Sequence, residues 1–238
     1  MKRLLGVLFI VAVFTSVASA NIELMLSTGG NSVTIGNNGT IISQTGAVGG
    51  SSLLVGPGAI EFAGSIGGYT INVTTGSGTP AQPNAQLDLN SINIASGATA
   101  PLTIQFSETN ITPGYPGWDM GIGGTMGFGA ITYTAYEDNN NNFFGTSGPG
   151  TTLIGTLGPF TGAFCAGQGS CIGSPGAASS VNAIPLYSLT QVLQMTATGP
   201  GTYSGNATLV PMPEPMGVVL FGTVLVLSVS RLRRRRSS

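Results

Sequence analysis

The chain has no histidine, and no lysine or arginine between Leu4 and Ser230. Charged residues are 6% of its 238 positions, where a soluble domain carries roughly 25%. Each absence excludes chemistry. Without histidine there is no Ser-His-Asp or Cys-His relay. A nucleophilic cysteine would find neither His nor Lys as its base. Nucleic acid is excluded as a partner, because its sequence-independent affinity comes from Lys and Arg on phosphates. A phosphate-bearing cofactor would have only backbone N–H groups to hold it. The enzymatic chemistry left is that of paired carboxylates, as in glycoside hydrolysis. Glu108 with Asp119, and Glu137 with Asp138, are pairs that folding could join, but no motif surrounds them. The sequence reads as a non-enzyme.

The charge that is present sits at the ends. Lys2 and Arg3 open the chain, and Arg231, Arg233, Arg234, Arg235 and Arg236 close it. All eight acids lie between Glu23 and Glu214. Residues 1–20, MKRLLGVLFIVAVFTSVASA, have a basic start, an apolar stretch from Leu4 to Val17 and the small residues Ala18-Ser19-Ala20. This order predicts a secretory signal peptide cut between Ala20 and Asn21. At the other end, 15 residues from Met216 to Ser230 are almost uniformly apolar. At about 1.5 Å per residue they reach roughly 23 Å, short of a hydrocarbon core of about 30 Å. Extending the helix to 216–232, with the arginines snorkelling, gives a thin single span. The arginine cluster stays cytoplasmic by the positive-inside rule, while the signal peptide sends the middle outward.

Pro213-Glu214-Pro215, a short apolar helix and an arginine-rich terminus, in that order across 211–238, resemble the PEP-CTERM sorting signal of Gram-negative bacteria. The same signal is also catalogued as an ice-binding-protein C-terminal domain. The resemblance implies a transient inner-membrane anchor with a cytoplasmic C-terminus. It implies cleavage near Pro-Glu-Pro by exosortase, a membrane-embedded protease, and delivery to the cell surface or extracellular matrix. Met212 stands where the family often has Val. The prolines at 211, 213 and 215 cannot enter a helix interior and favour an extended backbone, the form a protease cleft accepts. Ice binding would want regularly spaced threonines, and the pairs Thr132/Thr134 and Thr196/Thr198 do not repeat at a fixed period.

The ectodomain, 21–210, reads as all-β. YTINVTT places Tyr69, Ile71 and Val73 on one face. LTIQF does so with Leu102, Ile104 and Phe106, and ITYTA with Ile131, Tyr133 and Ala135. In LTQVLQMTAT, Leu189, Leu193, Met195 and Ala197 share a face, with Gln191 as the exception. LDLNSINIA slips by one residue between Leu89 and Ile92, the mark of a bulge near Ser91. Asn38-Gly39 between two apolar runs marks a hairpin. Ten to twelve short strands with no repeat period predict a β-sandwich, jelly-roll or immunoglobulin-like. The Gly-, Pro- and Ser-rich stretch from about Gly145 to Ser180 reads as a loop on one edge. Polar faces of Thr, Ser, Asn and Gln leave the strand edges without blocking charges, so self-association is an expected partner mode.

Three constellations stand out. Cys165 and Cys171, the only cysteines, are expected to form a disulfide after export. Asp138, Asn140 and Asn142 have the spacing that opens a calcium loop, but Phe143 and Pro149 stand where an EF-hand needs Gly and Glu. The stretch reads as a polar turn, with calcium the one candidate cofactor. Tyr115, Trp118 and Asp119 group the sole tryptophan with an aromatic and an acid, a candidate sugar platform for an extracellular polysaccharide or else a core anchor. The overall expectation is an exported surface or matrix protein. The alternative is a carbohydrate- or calcium-dependent adhesive module.

Overall fold

The computed structural model describes residues 21–56, 58–77, 87–111, 117–167 and 186–211. Residues 1–20, expected as a signal peptide, residues 212–238 with the Pro-Glu-Pro motif and arginine cluster, Tyr115 and Cys171 lie outside the described residues. The strands are β1 (Asn21–Thr28), β2 (Asn31–Ile35), β3 (Ile41–Thr45), β4 (Val48–Gly56), β5 (Ala59–Ile66) and β6 (Tyr69–Ser77). They continue as β7 (Leu87–Ser96), β8 (Leu102–Ile111), β9 (Trp118–Asp138), β10 (Thr151–Gly167), β11 (Tyr187–Thr196) and β12 (Gly201–Pro211). Among the described residues there is no helix. All twelve strands belong to one antiparallel sheet, in the order β3-β2-β1-β8-β11-β9-β12-β7-β6-β5-β4, with β10 alongside β9.

The long strand β9 makes this single sheet into a packed structure. Residues Trp118–Met126 of it pair with β12, and Ala130–Asp138 pair with β11. Fully extended, the chain from Trp118 to Glu137 would span on the order of 60 Å. Yet Trp118 Nε1 donates to Glu137 Oε2 at 3.2 Å. The strand therefore doubles back between Met126 and Ala130, where Gly129 has φ +60°. Folding brings the two halves of the sheet face to face. Leu24, Phe106, Leu193 and Tyr133 of one half join Phe62, Ile71, Val73 and Leu89 of the other in a single fully buried core. Hydrogen bonds cross between the halves, among them Gln191 Nε2 to Leu87 O at 3.2 Å and Tyr133 Oη to Thr208 O at 3.0 Å.

Periodicity locates these elements well. Every apolar face named for β6, β8, β11 and the second half of β9 is buried, apart from Ala197, which lies just beyond β11 and is only partly buried. Gln191, the polar exception in its row, is also fully buried and gives its amide to Tyr133 Oη at 2.7 Å. The slip in β7 is a bulge. Both of its neighbours cross two residues there, from Asn72 to Thr74 and from Gly205 to Ala207, while β7 uses three. Asn38-Gly39 forms the β2–β3 hairpin turn, closed by Gly36 N–H to Thr40 O at 2.9 Å.

One expectation is corrected. Thr151–Gly167, read as part of an edge loop, is strand β10 and pairs along nearly the whole of β9. It is an outlying strand, much of it exposed or half-buried; Leu153, for instance, is 53% exposed. Such a strand needs no buried alternation, and its register shifts around Gly158-Pro159 as it follows the fold of β9. Both facts erase the period-2 signal.

Candidate functional site

The described acids collect toward the end of the fold where β8 runs into β9 and where β1 starts. On the inner face, Ile22, Glu108, Leu189 and Glu137 stand abreast on β1, β8, β11 and β9. Two strand spacings of about 4.8 Å separate the two glutamates' backbones. Both are fully buried. Burial pushes the Glu108 carboxyl up to about 8, and neither of its oxygens has a hydrogen-bond partner among the described residues. Burial likewise raises Glu137 to about 7, opposed by the Trp118 indole N–H. Asp88 and Glu23 are also raised by burial. Burial is the common cause, and the composition shows why no positive charge offsets it: no Lys, Arg or His lies between Leu4 and Ser230 to stabilise a carboxylate. At neutral pH Glu108 is largely a neutral acid sealed in the core. Of the pairs expected from sequence, only Glu137 and Asp138 are neighbours, and their consecutive side chains point to opposite faces of β9. The pairing of Glu108 with Glu137 across β11 was not readable, because it depends on register.

Trp118 is fully buried rather than displayed. Its indole meets Tyr187 edge-on, ring centroids 6.4 Å apart, and its N–H goes to Glu137. It holds the start of β9 against the end of the same strand, the core-anchor alternative of the sequence reading. Asp119 pairs with Val210 in the β9–β12 ladder.

The Asp138–Asn142 stretch forms a tight polar turn. Asp138 Oδ1 accepts from Asn140 N at 2.9 Å and Asn140 Nδ2 at 3.0 Å. Asp138 Oδ2 accepts from Asn142 N at 3.3 Å and Asn142 Nδ2 at 2.9 Å. Amide nitrogens, not oxygens, thus face the carboxylate. The turn also docks on the sheet. Asn141 Nδ2 donates to Asn110 Oδ1 at 2.8 Å, and Ser188 Oγ to Asn142 O at 2.6 Å. Among the described residues no group of three Asp, Glu, Cys or His gathers around a metal-sized space. Nothing in this geometry bears on the Cys165–Cys171 bond, since Cys171 lies outside the described residues.

A second feature has no counterpart in the sequence reading. The outer face of the other half-sheet holds a groove of about 830 Å³ across β4, β5, β6, β7 and β12. Its polar lining includes Ser65, Thr70, Asn72, Asn93, Thr202 and Ser204. All six are exposed. Sequence signals could flag each as the polar side of its strand, but only the pairing register aligns them. At the β4–β5 flank the backbones touch: a Cβ on Gly64 would come within 2.1 Å of Gly49 O.

No protein-family model matches the chain, and no curated protein does. Among solved structures it is similar to the enzymatically active domain of tailspike protein 4 of bacteriophage CBA120, at 13% identity and TM-score 0.30, over 61% of this chain and 19% of that one. It is also similar to the D431N mutant VP2 protein of infectious bursal disease virus, at 10% identity and TM-score 0.31, over 81% of this chain and 55% of that one. The chain spans less than two thirds of either. At these scores neither likeness defines a shared fold.

Proposed function

We propose that this is a non-catalytic exported protein of the cell surface or extracellular matrix, sorted by a PEP-CTERM-type signal and processed by an exosortase-type protease. The observation that carries the reading is the segment order at the C-terminus. Pro213-Glu214-Pro215, the apolar stretch 216–232 and the cytoplasmic cluster Arg231 and Arg233–Arg236 follow one another, in a chain whose only other cations are Lys2 and Arg3. Strand pairing near the two ends of the described residues supports it. Asn21 pairs with Thr109 and Pro211 with Trp118, on either side of the β8–β9 connection, so the two residues lie toward one end of the fold. A tethered domain built this way turns its opposite end outward. The ectodomain on this reading is a β-sandwich of jelly-roll or immunoglobulin-like type, with Cys165 and Cys171 joined in the exported form. The outer-face groove favours adhesion to a polysaccharide as the accompanying role.

Replacing Pro213, Glu214 and Pro215 together by alanine tests the sorting role. Fractionation of the native host is expected to find the wild type at the surface or in the medium. The variant should stay in the inner membrane with its arginine tail attached. Equal release of both would refute the reading.

A further inference from the structure

We propose that the outer-face groove binds an uncharged polysaccharide laid across the strands. Register sets its polar groups in two rows. Ser65, Thr70, Ala95 and Thr202 stand side by side on β5, β6, β7 and β12, and Ala63, Asn72, Asn93 and Ser204 form the next row. Neighbours within a row are about 4.8 Å apart, and the rows are separated by two residues, roughly 7 Å. Three strand spacings give each row a length on the order of 14 Å. Hydroxyls and amides therefore recur along a line, with the methyls of Ala63 and Ala95 among them and the glycine backbone of β4 at one side.

Charge selects the ligand. No lining residue is ionisable except Tyr203, whose ring is buried in the core. No described residue is a cation, so a phosphate, sulfate or carboxylate on the ligand would be desolvated without a partner. The nearest acid by register, Glu61, stands one row further along, opposite Thr74. A cationic ligand finds no counter-ion in the groove. An extended peptide would seek a free strand edge, whereas β5, β6, β7 and β12 are each paired on both sides; β4 stands at the edge of the sheet, and its groove residues Gly49 and Gly50 pair inward with β5. A neutral sugar polymer meets all three conditions. Its hydroxyls exchange hydrogen bonds with Asn, Ser and Thr, and its C–H faces lie on alanine and glycine. The volume matches the 300–1,000 Å³ usual for ligand sites. With no aromatic platform, affinity comes from repetition along the chain rather than from one tight subsite.

The proposal rests on the export reading only for where such a polymer is met. Its test does not depend on processing. The full-length chain, purified in detergent, is run through native gels containing dextran, galactomannan or hydroxyethyl cellulose, with alginate as the anionic contrast. At least one neutral polymer should retard it. Retardation should weaken tenfold or more in both N72A/N93A and T202A/S204A, with melting temperatures within a few degrees of wild type. Two variants on different strands are used so that a folding defect in one leaves the other to decide. The proposal is overturned if no neutral polymer retards the chain, if alginate alone does, or if a folded variant binds as wild type. Loss of binding would leave cleavage near Pro213–Pro215 untouched, and an uncleaved tail would leave binding untouched, so the two readings fail separately.

Discussion

Gly129→Ala is expected to lower the melting temperature by on the order of 10 °C. The glycine has φ +60°, in the bend where β9 leaves one half of the sheet for the other. A Cβ there would come within 1.6 Å of Thr196 O and 2.7 Å of its carbonyl carbon. Both are backbone atoms of the neighbouring strand β11 and cannot rotate away. The Gly129 N–H, which donates to Thr198 Oγ1 at 3.0 Å, would be displaced with them. Left-handed strain costs about 1–2 kcal/mol; moving a packed backbone adds to it, for a total above about 3 kcal/mol. In a chain of this size each kcal/mol shifts the melting point by about 2–4 °C. Gly162 is the control. Its φ is +69°, but an added Cβ meets nothing within 4 Å, so Gly162→Ala should lose only the strain. Equal melting points for the two variants would show that the β9 bend is not packed as described.

Stability should fall, not rise, as pH increases from 5 to 8. Glu108 goes from an ordinary value of 4.5 to about 8 on folding, through burial alone. Below 4.5 it is protonated in both states. Between 4.5 and about 8 the unfolded chain ionises it while the folded chain holds the proton, so each step in pH favours unfolding. The loss is complete once pH passes the folded value. Glu137, raised to about 7, acts in the same sense. The largest single contribution, that of Glu108, is on the order of a few kcal/mol. Glu108→Met removes it, because methionine fills a similar volume beside Ile22 and Leu189 and leaves no unsatisfied oxygen. The variant is expected to be more stable than wild type throughout, by more at pH 8 than at pH 5. Thermal melts at the two pH values check this. A wild-type melting point that is flat or higher at pH 8 would mean that Glu108 is solvated or paired.

The strands and their buried faces were legible because alternation reports burial directly, as at Tyr69, Ile71 and Val73. The β7 bulge was legible because one extra residue shifts that alternation. What stayed hidden depends on pairing between distant segments. Trp118 read as a sugar platform or core anchor and Glu137 as one of a carboxylate pair, and nothing local says that a 21-residue strand joins them and folds them together. Thr151–Gly167 read as a loop because an outlying strand rich in glycine carries no inward period. Asn72 and Asn93 are unremarkable alone and become a pair only through the β6–β7 register. The raised carboxyls form an intermediate case. Their positions could not be foreseen, but the absence of any cation to stabilise them was plain from the composition.

Mass spectrometry of the protein released from its native host tests the central claim most directly. The account predicts an N-terminus at Asn21 and a C-terminus within or next to Pro213-Glu214-Pro215. A protein that keeps Met1, or that reaches the surface with Ser238 intact, would contradict it.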